Sequence, residues 1–199
     1  MPNYTETEVK LIVTDLDSVR ARLETAGAHL ESPRVYERNV RYENIAGTLS
    51  GQGIVVRLRQ DSRVRLTYKD GGQVTDGVVS RAEIEVEVSD FTAMDMILGK
   101  LGYHPHLIYE KYRTTYSLDG AEIVLDEMPY GPFVEIEGDK ATIESVIKRI
   151  GLEAAPRYAG SYVALFEQLK ARLGLSFTDL TFANFERVDT KGLIANGLL

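Results

Sequence analysis

Charged side chains recur two or four positions apart along several short segments, and the sign of the charge differs from one segment to the next. Such spacing places the members of a set on one face of a β-strand. Paired carboxylates suit a hard divalent cation such as Mg²⁺, whereas rows of Arg and Lys suit phosphate oxygens. A metal-chelated polyphosphate is the ligand that needs both. The acidic sets are Glu6/Glu8, Glu83/Glu85/Glu87 and Glu135/Glu137, and the basic sets are Arg57/Arg59, Arg65/Lys69 and Lys111/Arg113.

Each of these segments also has an apolar face that must pack on a core, so its charged face points either to solvent or into a shared lumen. A solvated face is the simpler interpretation, because most charged residues are exposed. Like charges on one face repel, however, and burying an unpaired charge costs several kcal/mol unless something binds it. The segregation of sign by strand therefore favours a lumen that holds a ligand.

Eight candidate strands and four helices would position these charges. Short connections between the strands indicate an α+β protein with an antiparallel sheet or a closed barrel and helices packed outside. The dipeptide Asp119-Gly120 predicts a hairpin turn, and the glycine-rich segment 70–77 predicts a mobile loop. The strands are predicted at 4–13, 34–44, 54–59, 64–69, 81–88, 107–118, 121–128 and 133–138, and the helices at 15–27, 90–101, 142–150 and 161–173.

The amino-acid composition excludes several kinds of partner and site. The 199 residues contain 23 Lys plus Arg and 30 Asp plus Glu, a net charge of −7 that argues against a nucleic-acid partner. The absence of cysteine excludes disulfides, thiolate nucleophiles and sulfur-ligated zinc, and with three histidines any metal should have oxygen ligands. The sequence has no signal-like segment and no run of about 20 apolar residues, so we expect a cytoplasmic protein without a membrane partner.

In their order along the chain these motifs resemble the CYTH family, also called the triphosphate tunnel metalloenzymes. That family includes class IV adenylate cyclases, thiamine triphosphatases and inorganic tripolyphosphatases. Its amino-terminal signature Glu-x-Glu-x-Lys is similar to Glu6-Thr-Glu8-Val-Lys10, and the match extends over roughly residues 4 to 170. The later motifs are present as Arg57-Leu-Arg59, Lys69, Glu83-Ile-Glu85, Lys111-Tyr-Arg113, Asp126 and Glu135-Ile-Glu137.

The resemblance implies an eight-stranded antiparallel β tunnel that binds a triphosphate together with Mg²⁺ or Mn²⁺. It assigns metal binding to Glu6, Glu8, Asp126, Glu135 and Glu137. It assigns catalytic positions to Lys10, Glu85 and Asp126. The phosphate-binding positions that it implies are Lys10, Arg57, Arg59, Arg65, Lys69, Lys111 and Arg113.

Several activities are compatible with a tunnel that has these metal-binding and phosphate-binding positions. Attack by water on inorganic tripolyphosphate, thiamine triphosphate or a nucleoside triphosphate is the expected reaction. The alternative is a class IV adenylate cyclase, in which a ribose 3′-hydroxyl attacks the α-phosphorus of ATP, and a third hypothesis is a non-catalytic polyphosphate- or nucleotide-binding module. Residues 1–173 are predicted to form the tunnel domain, with the tail 174–199 packed on it. Capping of one tunnel end and formation of a homodimer are the other roles considered for the tail.

Overall fold

A computed structural model describes residues 5–190 and residue 193. Eight antiparallel strands close into a barrel in the order β1-β5-β4-β3-β2-β6-β7-β8, which confirms the predicted closed barrel with helices outside it. The strands are β1 (Thr5–Ile12), β2 (His29–Asn44), β3 (Val55–Gln60), β4 (Val64–Thr75), β5 (Val78–Val88), β6 (Tyr103–Leu118), β7 (Ala121–Met128) and β8 (Gly131–Glu137). The helices are α1 (Leu16–Thr25), α2 (Phe91–Lys100), α3 (Lys140–Arg149), α4 (Tyr162–Leu173) and α5 (Phe182–Phe185), and a 3₁₀ turn spans Ser50–Gln52.

Alternation within each strand sends one face into the lumen and the other to the barrel exterior, which helices cover in part. The outward Ile84 and Val86 of β5 are exposed, so the expectation that every apolar strand face packs on a core was wrong for this strand. Along β1, Glu6, Glu8 and Lys10 line the lumen, whereas Val9 and Leu11 are fully buried beneath α1 and α3. Complete burial of each such aliphatic side chain contributes roughly 1.5–3 kcal/mol to stability. The inward charges are therefore held in place by the outward core. The helix residues buried in this core are Val19, Leu23, Ile143, Val146 and Ile147.

Helix α2 covers another part of the barrel exterior. Leu98 of α2 packs with Val40, Tyr42 and Leu58 of β2 and β3, and the Tyr42 hydroxyl donates a hydrogen bond of 2.6 Å to Asp95. These outward residues alternate with Asn39, Arg57 and other inward polar residues. The packing under α2 therefore fixes the register that turns the β2 and β3 charges inward.

Helix α4 and the residues after it close one end of the lumen with apolar side chains. At this end the inward positions are Ile12, Leu107, Met128 and Phe133, which cluster with Phe166 and other residues of α4. The tail adds Leu180, whose backbone N–H donates to the Ile108 carbonyl at 2.9 Å and whose side chain is fully buried. The described part of the tail therefore packs on the barrel.

Segment 70–77 is not the mobile loop that its glycines predict. Strands β4 and β5 continue through it and meet at Asp76 and Gly77, whose φ angles are 55° and 78°. Positive φ at both central residues is typical of a two-residue hairpin turn that matches the twist of the strands. The prediction was wrong because the irregularity in pairing between Asp70 and Gln73 hides the strand pattern.

Some predicted features lie outside the described residues: position 4 of the first strand, and 191, 192 and 194–199 of the tail. Within the described residues, no helix combines the length and apolar character needed to cross a membrane.

Candidate active site

The lumen contains a cavity of about 380 Å³ whose walls differ in charge. Strands β7, β8, β1 and β5 are neighbours in the barrel and supply all of the lining carboxylates, with Lys10 and Arg81 interspersed among them. Strands β4, β3, β2 and β6 form the other half and supply the remaining lining cations. The acidic side chains of the lining are Glu6, Glu8, Glu83, Glu85, Glu122, Glu135 and Glu137, and the basic ones are Lys10, Arg41, Arg57, Arg59, Arg65, Lys69, Arg81, Lys111 and Arg113.

The acidic half concentrates negative charge around Glu137, which is still in contact with solvent. Partial burial and the charges of Glu6, Glu122, Glu83 and Glu8 raise the pKa of Glu137 to about 7. The pKa of Glu83 is also raised to about 7, by burial and by its hydrogen bond with Glu6. This grouping of carboxylates is chemically suited to a divalent cation with oxygen ligands.

Two cations neutralise part of this acidic group. Lys69 Nζ lies 2.8 Å from Glu6 Oε2 and 2.5 Å from Glu83 Oε2. Arg81 contacts Glu6 at 3.2 Å and Glu8 at 3.1 Å. Among the described residues, no group of three or more His, Cys, Asp or Glu side chains is arranged as a ready-made metal site. The donor chemistry therefore fits a divalent cation, while the side chains themselves are held in ion pairs.

Strands β3 and β4 of the basic half carry a hydrogen-bond network around Arg57. Arg57 donates to Thr67 Oγ1 at 3.0 Å and to the Tyr109 hydroxyl at 3.2 Å, and Thr67 in turn donates to Glu85 at 2.8 Å. Glu85 also lies 3.5 Å from both Arg57 and Arg65. Burial would raise the pKa of Glu85, but the Thr67 hydrogen bond and the arginines lower it below its usual value. The structure thus places Glu85 as an ionised partner of the arginines.

Lys111 and Arg113 of β6 both contact Asp126 on the neighbouring strand β7. The side chain of Asp126 has no solvent exposure. Asp126 accepts hydrogen bonds from Lys111 Nζ at 2.9 Å and from Arg113 Nε at 2.7 Å. It also accepts a hydrogen bond of 2.9 Å from the hydroxyl of Tyr162, at the start of α4. Asp126 is not part of the cavity lining, so it lies behind these two cations rather than beside a ligand.

Lys10 and Glu135 form a close pair within the lumen. The distance from Lys10 Nζ to Glu135 Oε1 is 2.6 Å, and Arg113 lies 2.5 Å from the other oxygen of the same carboxylate. Burial would lower the pKa of Lys10, but Glu135 and Glu8 raise it above its usual value, so Lys10 is a fixed cation. All predicted site residues except Asp126 therefore line one cavity.

The lumen-facing residues of β2 were not predicted from the sequence. Glu37 is buried, with Oε2 located 3.5 Å from both Arg59 and Lys111, and Asn39 accepts a hydrogen bond of 3.0 Å from Arg59 Nε. Arg41 follows at the next inward position. Alternation of Glu37, Asn39 and Arg41 was the available signal, but the strand was predicted from its aromatic and β-branched residues alone.

The lining offers little surface on which a nucleobase could stack. Tyr109 and Tyr162 are its aromatic residues among those described, with exposures of 8% and 7%. Lys10 Nζ lies 4.9 Å from the centre of the Tyr162 ring. Small-molecule sites that recognise an apolar group usually present hydrophobic or aromatic walls, and here the described walls are predominantly charged.

Comparisons with known proteins agree with this geometry. A Methanocaldococcus jannaschii protein named "Putative adenylate cyclase" is 26% identical over 134 residues, which cover 66% of this chain and 75% of that protein. The structure of a "putative adenylate cyclase" from Vibrio parahaemolyticus superposes with a TM-score of 0.72 at 19% identity, covering 83% of this chain and 99% of that one.

Another similar structure is that of HpAC1 from Hippeastrum, described as a putative adenylyl cyclase with a dominant triphosphatase activity. It superposes with a TM-score of 0.62 at 20% identity, covering 81% of this chain and 95% of that one. These structural similarities show a shared fold. The CYTH domain family model matches residues 4–153, about three quarters of the sequence. The chain therefore belongs to the CYTH domain family.

Proposed function

We propose that this protein is a metal-dependent triphosphatase that hydrolyses a triphosphate held inside the barrel. The observation that carries the proposal is the division of one cavity into a carboxylate-rich half and an arginine- and lysine-rich half. A polyphosphate bound with a divalent cation has charges that complement both halves. Catalysis of phosphoryl transfer depends mostly on positioning and on neutralising charge, which such a cavity provides.

In this proposal, Glu6, Glu8 and Glu137 would hold Mg²⁺ or Mn²⁺, with Glu135 beside them. The bound cation would supply charge stabilisation at the phosphate oxygens. Lys69 and Arg81 would exchange their carboxylate partners for phosphate oxygens as the cation is bound. Asp126 would act as an anchor for the basic residues of β6, because it is shielded from the cavity.

The phosphate chain would lie against the basic half of the lumen. Arg57 and Arg59 on β3 and Lys111 and Arg113 on β6 present cationic donors to one cavity, and guanidinium groups can bind two phosphate oxygens at once. Arg65 and Lys10 extend the same charged surface. Glu85 is the carboxylate of the lining proposed to orient the attacking water, because it is ionised and partly exposed.

Hydrolysis is favoured over cyclisation by the charged lining, which offers little surface for a nucleoside. The same argument makes inorganic tripolyphosphate the preferred substrate over thiamine triphosphate or ATP. The dominant triphosphatase activity described for the Hippeastrum protein of the same fold is consistent with this choice. A class IV adenylate cyclase remains the second candidate, because the Methanocaldococcus jannaschii relative is named an adenylate cyclase.

A product assay with purified protein tests the proposal. Tripolyphosphate, thiamine triphosphate and ATP are offered in parallel with Mg²⁺ and then Mn²⁺, and orthophosphate, pyrophosphate and cyclic AMP are resolved. We expect orthophosphate from tripolyphosphate. Cyclic AMP with stoichiometric pyrophosphate would instead establish the cyclase, and tight binding without turnover would establish a binding module.

The metal assignment is tested with Glu6→Gln, which removes one proposed ligand at nearly constant volume. We expect loss of metal-dependent turnover with the fold retained. The matched control is Glu24→Gln on the exposed surface of α1, which should keep wild-type activity. Retained turnover in Glu6→Gln would show that this carboxylate does not hold the metal.

A further inference from the structure

Arg41 differs from the other cations of the lumen because it has no acidic partner among the residues that the structure describes. Every other Arg or Lys that lines the cavity has a carboxylate oxygen within 4 Å. Within residues 5–190 and 193, no carboxylate lies that close to Arg41. Among the described residues, this partly buried guanidinium therefore has no carboxylate as counter-charge.

The position of Arg41 adds to its electrostatic cost. In the β2–β3 pairing it lies directly opposite Arg57, and both side chains point into the lumen. Like charges at directly opposed positions of an antiparallel pair are destabilising. Burial and the charges of Arg57 and Arg81 lower the pKa of Arg41, although Tyr109 and Glu43 act in the other direction. An anion between Arg41 and Arg57 would remove this cost.

Arg57 presents a second unsatisfied group at the same place. Its Nε is buried and has no hydrogen-bond partner among the described residues, whereas its other nitrogens contact Thr67 and Tyr109. Buried polar atoms normally have a partner, which a bound anion or an ordered water supplies where the protein does not. Arg41 and Arg57 are therefore two neighbouring guanidinium groups with unused capacity for an acceptor.

The barrel topology defines the side from which Arg41 would approach a ligand. In the closed order of eight strands, β2 is the fourth neighbour of β1 in either direction, so the two strands face each other across the lumen. Glu6 and Glu8 are on β1 and Arg41 is on β2. A phosphate chain whose metal-bound oxygens face β1 would present its remaining oxygens to β2.

We propose that Arg41 is a substrate-binding residue that, together with Arg57, binds a phosphate group from the wall opposite the β1 carboxylates. This assignment rests on the proposed function only in taking the anion to be a triphosphate. Arg41 would contribute affinity without a compensating loss, because it has no carboxylate to release when the ligand enters. The other lining cations are already paired with carboxylates, so a ligand must compete with those partners.

Calorimetric titration with inorganic tripolyphosphate, without added divalent metal, tests the proposal independently of turnover. We expect Arg41→Gln to raise the Kd by about tenfold to a hundredfold, the loss associated with a hydrogen bond to a charged group. Arg41→Lys should give an intermediate Kd, because lysine keeps the charge but lacks the planar guanidinium that donates two hydrogen bonds to one anion. The matched control is Arg38→Gln, three residues earlier on β2, whose guanidinium lies over the Phe91 ring on the barrel exterior.

Thermal unfolding of the unliganded variants separates binding from a structural role. Removing Arg41 relieves its repulsion from Arg57, so unliganded Arg41→Gln should melt at the wild-type temperature or above it, while its stabilisation by tripolyphosphate should shrink. A Kd within twofold of wild type would overturn the proposal. A weaker Kd accompanied by a lower melting temperature of the unliganded variant would also overturn it, in favour of a structural role.

The same measurements distinguish this inference from the proposed function. If the wild type binds tripolyphosphate, Arg41→Gln loses binding and neither turns over any triphosphate, the role of Arg41 stands and the hydrolase proposal fails. If the wild type turns over tripolyphosphate and Arg41→Gln has unchanged Kd and KM, the hydrolase stands and the role of Arg41 fails. A wild-type protein that binds no triphosphate would overturn both.

Discussion

Replacing Asp126 by alanine should strongly destabilise the unliganded barrel. Its carboxylate accepts hydrogen bonds from Lys111 at 2.9 Å, from Arg113 Nε at 2.7 Å and Nη2 at 2.6 Å, and from the Tyr162 hydroxyl at 2.9 Å. All of these contacts are in the interior, where Asp126 has no exposed surface. Alanine would leave the buried Lys111, the partly buried Arg113 and the buried hydroxyl of Tyr162 without this acceptor.

The magnitude follows from the burial and from the partners that remain. Removing one member of a buried ion pair costs about 3–5 kcal/mol, because the other charge stays desolvated. Here Glu37 still lies 3.5 Å from Lys111, and Glu135 still lies 2.5 Å from Arg113. We therefore expect the lower end, about 3 kcal/mol. For a chain of this length, that corresponds to a fall in Tm of about 6–12 °C.

The assay is thermal and urea unfolding of Asp126→Ala beside the control Glu127→Ala. Glu127 is the next residue on β7, and it forms an exposed pair with Arg34 at 2.7 Å. Exposed pairs of this kind contribute about 0–1 kcal/mol. Tripolyphosphate should raise the Tm of Asp126→Ala more than that of the wild type, because the freed cations can bind it. Equal stability of the two variants would refute the reasoning.

Two further predictions concern pH and the tail. Glu83 and Glu137 have pKa values of about 7 in the folded chain against about 4.3 when unfolded, so the folded chain binds more protons between these values. The free energy of unfolding of the metal-free protein should therefore fall as pH rises from about 5 to 8, and Glu137→Gln should weaken this dependence in a pH series of melting curves. Leu180→Ala should cost about 2–5 kcal/mol, because the side chain is fully buried between β6 and α4. Denaturant unfolding measures this cost, and a cost below about 1 kcal/mol would show that the tail does not contribute to the core.

Strand alternation allowed the inward residues of most strands to be predicted. Along β1 and β8 a period of two separated Glu6, Glu8 and Glu135 from the aliphatic residues that pack under the helices. The pattern could not be followed through segment 70–77, where glycines and an irregularity in pairing interrupt it. On β2 the inward polar residues also alternate with a period of two. Glu37 and Arg41 were not predicted, because the strand was predicted from the aromatic and β-branched residues of its other face.

The roles of individual charges could not be derived from spacing. Asp126 and Glu135 are both acidic residues on inward faces, yet Asp126 is enclosed behind Lys111 and Arg113 whereas Glu135 lines the cavity. Which of them a ligand can reach depends on how closely neighbouring strands and α4 approach. Likewise, the apolar side chains that close one end of the lumen come from β1, β6, β7, β8 and the tail, and no local pattern joins them.

The sequence by itself therefore determined which side chains share a strand face along most strands, because a period of two is a local property of an extended backbone. The charged β tunnel was implied by the resemblance of its motifs to the CYTH family. Only the tertiary structure decided which strands became neighbours. The order β1-β5-β4-β3-β2-β6-β7-β8 brings the acidic strands into one half of the barrel and the basic strands into the other. It also leaves Arg41 opposite Arg57 without a carboxylate, because pairing between distant segments sets the partner of each charge.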